Sequence, residues 1–307
     1  MRNLTRPKFF SCLLVFLLIL ITSAARQNLQ AQAAAKSGEP LKVIMIGAHP
    51  DDAEGRGAGT AALWAAAGAK VQLVAVTNGD AGHQSEGGGA LARRRAAESK
   101  RSAEILGVSW RTLGFHDGEL EPSLEVRKAV IRAIREWGAD IVFAPRPNDY
   151  HPDHRYTSQV VQDAAYMVAV PNVCPETPRL EKNPVFMYFS DNFKKPIPFT
   201  PDVVVAIDQV IDKKWRSLDA MDSQMYEWLP WIGGDLAEVP QGKAERFEWL
   251  RKWRSKGMLD VKNRCLDLLV ERYGKEYADK VQYVEMFELC EYGSRPSREE
   301  LWKMFPK

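Results

Sequence analysis

Two short clusters of histidine and aspartate contain the side chains in this sequence that are best suited to chemistry. The first cluster is AHPDD at residues 48–52, and the second is HPDH at residues 151–154. Together they hold three of the five histidines in the chain. Each follows a hydrophobic run that predicts a buried strand. We therefore interpret the clusters as two halves of one site.

The two clusters together offer a set of ligands for a metal ion. His49, Asp52 and His154 would supply two imidazoles and one carboxylate, as in catalytic zinc sites that keep one position open for water. The same set suits ferrous iron or another divalent metal, so the identity of the metal stays open. Neither cluster contains a thiolate, which excludes iron–sulfur and structural thiolate–zinc sites. Asp51 remains beside the metal position, where a general base is needed.

The surrounding segments predict an α/β fold with a doubly wound, Rossmann-like, mostly parallel sheet. Near-continuous apolar runs rich in valine and isoleucine predict strands at 43–48 and 72–77, and further strands are predicted at 111–115 and 140–144. Helical patterns at 59–67, 91–106 and 124–137 alternate with these strands. The polar loops that follow the four strands should therefore meet at one edge of the sheet, where such folds bind their ligands.

The second half of the chain is predicted to complete this domain. After a helix that ends near residue 168 and a proline-rich connector at 171–184, apolar runs at 185–189 and 203–207 would extend the sheet. We assign residues 41–210 to a catalytic domain and the tryptophan-rich residues 211–307 to a helical C-terminal extension of the same domain. The extension could cap the site or form a dimer surface, and the sequence leaves the oligomeric state open.

Composition restricts the range of partners. The chain has 42 basic and 40 acidic residues and a net charge of +2, without a long run of either sign. A nucleic-acid partner therefore has little electrostatic support, and we expect a small-molecule or glycan substrate. Cys174, Cys265 and Cys290 allow one disulfide but form no metal-ligand pair.

The N-terminal segment predicts a secretory signal peptide at 1–25, followed by a linker at 26–40. Three basic residues precede an apolar run at 9–21 and then the small residues TSAA. The protein should therefore be exported to a periplasm or to the extracellular space. A second small-residue stretch at 31–35 offers another cleavage site, and an uncleaved membrane anchor is the alternative.

A longer set of motifs resembles the PIG-L (LmbE-like) family of zinc-dependent N-deacetylases. The chain carries AHPDDAE and a glycine-rich turn, TNGD at 77–80, RAAE at 95–98 before Leu106-Gly107, and then HPDH. The match covers residues 43–170. It implies a hydrolase that removes acetyl from an N-acetylated amino sugar or glycoconjugate of the N-acetylglucosamine type. The alternatives are a hydrolase of another amide and a carbohydrate-binding protein without turnover.

The resemblance also implies roles for individual side chains. It gives the same three zinc ligands as above, and it makes Asp51 the general base. His151 would stabilise the tetrahedral oxyanion or protonate the leaving amine, oriented by Asp153. Arg95 would hold the sugar or its phosphate, and Asp117 would hydrogen-bond to sugar hydroxyls.

Two departures from the family pattern concern the substrate. Arg56 stands where the family usually has a small residue, which places a cation near the expected substrate entrance. Asp149 stands where some relatives have a tyrosine that helps to bind the oxyanion. A ferrous oxygenase would use the same metal ligands, but usually on a β-barrel, and the alternation of strands and helices opposes that scaffold.

Overall fold

One mixed sheet organises residues 39–256 and 258–307, which are the residues described by the structure, a computed structural model. Its seven strands in this part of the chain are β1 (Lys42–Gly47), β2 (Lys70–Thr77), β3 (Ser109–Phe115), β4 (Ile141–Ala144), β5 (Val185–Phe189), β6 (Val203–Ala206) and β7 (Val284–Gly293). They lie in the order β3-β2-β1-β4-β5-β7-β6. The first five pair in parallel, whereas β7 is antiparallel to β5 and to β6. The predicted doubly wound, mostly parallel sheet is confirmed.

Four helices connect the parallel strands: α1 (Asp52–Ala66), α2 (Gly88–Leu106), α3 (Leu124–Trp137) and α4 (Pro152–Met167). Helix α2 ends at Gly107, as predicted, because this glycine adopts the left-handed conformation with φ 78°. Helix α1 begins at Asp52 rather than near residue 59. Its glycines do not break it. They let α1 pack closely on the sheet, and this packing stabilises the helix. A Cβ at Gly57 would stand 2.2 Å from the Met45 side chain.

Strand β1 is buried on both faces, which is why its sequence is continuously apolar. Val43 and Met45 pack in one hydrophobic cluster with the alanines of α1. Ile44 and Ile46 point the other way, into a cluster formed with α3 and α4. The strand is thus fixed from both sides, and so is the loop that leaves its carboxyl end.

Residues 211–307 are mostly helical, as predicted. They contain α5 (Ile211–Asp219), a π-helical turn (Ser223–Trp228), α6 (Leu229–Gly233), α7 (Lys243–Ser255), α8 (Met258–Asn263), α9 (Leu266–Tyr273), α10 (Lys275–Lys280) and α11 (Arg298–Met304). The sequence analysis does not predict β7, whose apolar residues are interrupted by Glu285, Glu288 and Glu291. Because β7 lies between β5 and β6, the predicted helical extension also contributes an inner strand of the sheet.

A buried ion pair ties α1 to the C-terminal part. Lys214 on α5 and Glu285 on β7 are 2.7 Å apart, and their side chains are only 4% and 3% exposed. Glu285 also accepts hydrogen bonds from the backbone N–H groups of Gly59 and Thr60, while Lys214 donates to the carbonyl of Gly55. Gly55 and Gly59 are four residues apart, so the Gly55 carbonyl and the Gly59 N–H face each other in α1. The ion pair bonds to both groups.

Other predictions concern the cysteines and the N-terminal segment. Cys174, Cys265 and Cys290 are all free and buried, so the possible disulfide is not formed among them. Within residues 39–256 and 258–307, no helix is long and apolar enough to cross a bilayer. The signal peptide and most of the linker lie outside the described residues, and they stay predictions.

The ion pair generates a test of stability. Glu285→Ala leaves the Lys214 ammonium and several donors of α1 buried without a partner, so we expect a loss of about 3–5 kcal/mol in the free energy of unfolding. Glu276→Ala is the control, because Glu276 pairs with Lys280 on the surface at 90% and 74% exposure. That variant should change stability by less than about 0.5 kcal/mol. Urea unfolding measures both, and equal effects would contradict the structural role of Glu285.

Candidate metal and active site

The two motif clusters meet at the carboxyl ends of neighbouring strands. His49 follows β1, and His154 lies in the first turn of α4, after β4. The loops after β2 and β3 reach the same place: Asp117 lies 3.1 Å from His49, and its backbone N–H donates to Asp80. The predicted convergence of four loops is therefore confirmed.

The three predicted metal ligands direct their donor atoms towards one point. His49 Nδ1 lies 3.2 Å from His154 Nε2, and the latter lies 3.3 Å from Asp52 Oδ1. His49 Nδ1 and Asp52 Oδ2 are 3.6 Å apart. Ligands bound tetrahedrally to zinc at about 2.0–2.1 Å lie roughly 3.3–3.4 Å from one another. The separations in this chain fit one small divalent cation.

Carboxylates determine which nitrogen of each imidazole is free to bind a metal. His49 Nε2 lies 3.1 Å from Asp117 and 3.2 Å from Asp153. His154 Nδ1 lies 3.0 Å from Asp149. An ionised carboxylate only accepts hydrogen bonds, so each of these nitrogens carries a proton. The lone pairs then lie on His49 Nδ1 and His154 Nε2, the two atoms that face each other.

Asp149 is a functional residue that the sequence analysis missed. It is treated there only as a departure from the family pattern, although it precedes His151 by two residues. In the structure, its Oδ1 atom accepts the backbone N–H of His151 at 2.9 Å and also contacts His154. Its position immediately before a ligand cluster is the one signal that could have indicated this role, since metal-binding histidines usually hydrogen-bond to a carboxylate.

A second set of possible ligands, formed by His49, His151 and Asp153, shares one histidine with the first. This set would use His49 Nε2, which lies 3.2 Å from Asp153. Asp153 is fully buried and already accepts a hydrogen bond from the backbone of Gly118. Among the described residues, those that line the adjacent cavity include His49, Asp52 and His154, but not Asp153. The first set is therefore the one that a substrate can reach.

The carboxylates of the site favour an added proton on the imidazoles of His49 and His154. Burial alone would lower the pKa of His154, but Asp52 and Asp149 raise it to about 9. The carboxylates around His49 likewise raise its pKa well above the usual value, against the effect of burial. A divalent cation would displace these protons and would balance the surrounding aspartates.

Asp51 has the properties of a general base. Burial and the charge of Asp52 raise the pKa of Asp51 to about 6. Its carboxylate lines the cavity and accepts no hydrogen bond from any residue that the structure describes. The backbone of Asp51 has φ 121°, a strained conformation for a residue with a Cβ. Such strain is typical of functional positions.

His151 and Asp153 interact differently from the expectation. The Asp153 carboxylate does not hydrogen-bond to His151 but contacts His49 and Gly118. It is the backbone N–H of Asp153 that donates to His151 Nδ1, at 3.2 Å. Neutral His151 therefore carries its proton on Nε2, and burial lowers its pKa. The catalytic roles of both residues stay predictions.

Arg95 and Asp117 lie at the site, but both make contacts within the protein. Arg95 is 1% exposed and donates to the carbonyls of Gly79 and Gly82 and to the Gln224 side chain. Burial would raise the pKa of Asp117, but the hydrogen bond from His49 and the charges of His49 and Arg95 lower it to about 2. These contacts brace the loops of the site, and substrate binding by either residue stays a prediction.

Comparisons with known proteins show the family of this chain. The family model described as PIG-L: GlcNAc-PI de-N-acetylase matches residues 44–165. The chain is 32% identical over 217 residues to the diacetylchitobiose deacetylase of Thermococcus kodakarensis, which covers 64% of this chain and 78% of that protein. The chain belongs to the PIG-L family.

Solved structures show that the PIG-L fold supports more than one reaction. The N,N'-diacetylchitobiose deacetylase of Pyrococcus horikoshii superimposes with a TM-score of 0.63 at 24% identity, over 81% of this chain and 83% of that chain. GalB, the 4-carboxy-2-hydroxymuconate hydratase of Pseudomonas putida KT2440, gives 0.65 at 18% identity, over 84% and 99%. These similarities establish the fold, and the reaction has to be argued from the site.

The hydrogen bond to His154 can be tested through metal affinity. Asp149→Asn keeps the shape of the side chain but weakens the orientation of His154, so we expect affinity for zinc to fall about 10–100-fold. His154→Ala should abolish stoichiometric binding, because it removes a ligand. Asp163→Asn, on the outer part of α4, is the control and should bind zinc like the wild type. Competition with a chelator measures all three, and unchanged affinity in Asp149→Asn would refute its role.

Proposed function

We propose that this PIG-L protein is an exported, zinc-dependent hydrolase that removes acetyl from an N-acetylated amino sugar or glycoconjugate. The observation that carries the proposal is the convergence of His49, Asp52 and His154 with the unpaired carboxylate of Asp51 at one cavity. The relationship to a diacetylchitobiose deacetylase supports an amide of an acetylated sugar as the bond that is cleaved.

The donor set favours zinc among the divalent metals, since two imidazoles and one carboxylate form a typical catalytic zinc site. Bound zinc would supply Lewis acidity, which polarises a carbonyl and lowers the pKa of a coordinated water. His49, Asp52 and His154 would hold it. Ferrous iron or another divalent metal fits the same atoms.

Asp51 and His151 supply the proton transfers. The Asp51 carboxylate accepts a proton from the attacking water and returns it to the departing nitrogen, for which a pKa near the working pH is suitable. His151, with its proton on Nε2, donates a hydrogen bond to the developing oxyanion. Neither step needs a side chain to change its contacts within the protein.

The cavity provides room for a sugar. Its volume is about 1070 Å³, and Tyr150, Phe193 and Trp228 are among its lining residues. Tyr150 is 73% exposed, so its ring is available at the entrance. Aromatic rings of this kind provide apolar surface for the faces of a saccharide, while the metal site fixes the acetamido group.

Two other functions compete with this proposal. A different amide could be cleaved by the same residues, and a carbohydrate-binding protein could keep the site without turnover. Asp51 argues against a binding protein without turnover. A binding site alone does not need a carboxylate that lacks a hydrogen-bond partner and is held on a strained backbone.

Amine release tests the proposal directly. Protein stripped of metal and reloaded with zinc is incubated with acetylated monosaccharides, chitin oligomers and glycolipid headgroups. We expect zinc-dependent release from at least one of them. Asp51→Asn should keep bound zinc and lose at least about 100-fold in kcat, because the proton acceptor is gone.

Asp279→Asn, at the surface on α10, is the matched control and should be fully active. Zinc-bound protein without amine release from any member of the panel would overturn the deacetylase proposal. Full activity of Asp51→Asn would remove Asp51 from the role of base.

Export is proposed on the leader sequence alone. If it is correct, the full chain expressed in a bacterium is recovered outside the cytoplasm and begins after residue 25 or within residues 31–36, as mass spectrometry of its N-terminus would reveal. An intact N-terminus in the membrane fraction would indicate an anchor instead. An intact cytoplasmic protein would contradict export.

A further inference from the structure

One part of the cavity wall is strongly basic. It is formed by the cationic residues Arg56, Lys194, Arg254, Lys256 and Arg264, which we call the basic wall. They come from separate parts of the chain: α1, the connection between β5 and β6, and the segment from the end of α7 to the start of α9. Residues so far apart in sequence meet because the fold brings them to the cavity of the metal site.

The charges of the basic wall are not neutralised by the protein. Within residues 39–256 and 258–307, none of the five has a carboxylate within 4 Å, although other arginines do, such as Arg146 at 3.1 Å from Asp191. The acidic residues that line the same cavity are Asp51, Asp52 and Asp117, which belong to the metal site, and Asp260. The metal end of the cavity is acidic, and the basic wall has an excess of positive charge.

Arg254 is the member of the basic wall that lies over the start of α1. It is partly buried and donates no hydrogen bond to any residue in the described part of the chain. Its Nη2 atom lies 3.5 Å from the position that a Cβ of Gly55 would take, so it covers the first turn of α1. Burial lowers the pKa of Arg254, and the charge of Asp51 opposes that shift. The guanidinium thus lies close to the base.

Two other members are held in place without losing their charge. Arg56 donates to the carbonyl of Ser190 at 2.9 Å. Arg264 donates to the side-chain oxygen of Asn192 at 2.7 Å and to the carbonyl of Asp191 at 2.9 Å. Neutral oxygens orient a guanidinium but do not balance its positive charge. Their remaining N–H groups can bind an anion.

We infer that the substrate carries an anionic group, a carboxylate or a phosphate, which binds to the basic wall beside Arg254. The inference rests on the proposed function, because it names the class of its substrate. The Arg254 guanidinium lies 5.5 Å from the centroid of the Trp253 ring, but no described residue accepts a hydrogen bond from it or balances its charge at short range. An oxyanion of the substrate would supply the missing acceptor. A neutral saccharide offers only uncharged oxygens, which leave the charge of the Arg254 guanidinium unbalanced.

Three acetylated sugars of similar size test this inference: N-acetylglucosamine, N-acetylglucosamine 6-phosphate and N-acetylmuramic acid. Amine release gives kcat/KM for each with the zinc-loaded protein, and calorimetry gives Kd for the corresponding deacetylated products. We expect at least one anionic sugar to exceed the neutral one about tenfold in both measurements. The phosphate and carboxylate arms identify which oxyanion is preferred.

The variants are Arg254→Gln and, as a control, Lys252→Gln, which removes the same charge from an exposed residue of α7 outside the cavity lining. Arg254→Gln should lower the ratio of anionic to neutral kcat/KM about tenfold, mainly through KM. Lys252→Gln should keep the wild-type ratio. In the wild-type protein, the ratio of Kd values should approach one as salt increases, because salt screens the charges.

Equal Kd values for neutral and anionic products would overturn the inference, and so would equal ratios in the two variants. Neither result would affect the proposed function as long as amine is released. Absence of amine release from all three sugars would count against the proposed function, while calorimetry would still decide whether the basic wall selects anions.

Discussion

Hydrogen bonds between imidazoles and buried carboxylates are the constraint on which this site depends. Asp117 and Asp153 both face His49 Nε2, and Asp149 faces His154 Nδ1. Because these ionised carboxylates only accept hydrogen bonds, the opposite nitrogens, His49 Nδ1 and His154 Nε2, are left to bind a metal together with Asp52. Asp117 and Asp149 come from the loops after β3 and β4, and Asp153 comes from the first turn of α4. The order of the strands therefore decides how the predicted metal ligands are presented.

Helix α1 is the element that connects this constraint to stability. It begins at Asp52, directly beside the strained backbone of Asp51. Its first turns accept a hydrogen bond from Lys214 and donate hydrogen bonds to Glu285. The C-terminal part of the chain therefore holds the helix that carries a metal ligand. It also contributes Arg254 and Trp228 to the cavity. It completes the sheet and the site together.

Much of this arrangement could be predicted from the sequence, because it follows from local patterns. The doubly buried β1, the glycine that ends α2, and the convergence of the clusters at one edge all follow from apolar runs and turn residues. The three candidate metal ligands follow from residue type and spacing. Pairing over long distances could not be predicted in this way. Strand β7 is not predicted because Glu285 interrupts its apolar pattern. The charge of Glu285 is balanced by Lys214, which is 71 residues away in the sequence. The contact of Asp149 with His154 is not predicted either, because the sequence does not show which imidazole nitrogen a nearby carboxylate contacts.

The direct test of the central claim is a crystal structure of the zinc-loaded protein with anomalous data at the zinc edge. The account predicts one peak at about 2.0–2.2 Å from His49 Nδ1, Asp52 and His154 Nε2. Asp117 and Asp153 should still contact His49 Nε2. A peak bound by His49 Nε2, His151 and Asp153, or zinc without a histidine ligand, would contradict the claim that these carboxylates select the metal-binding atoms.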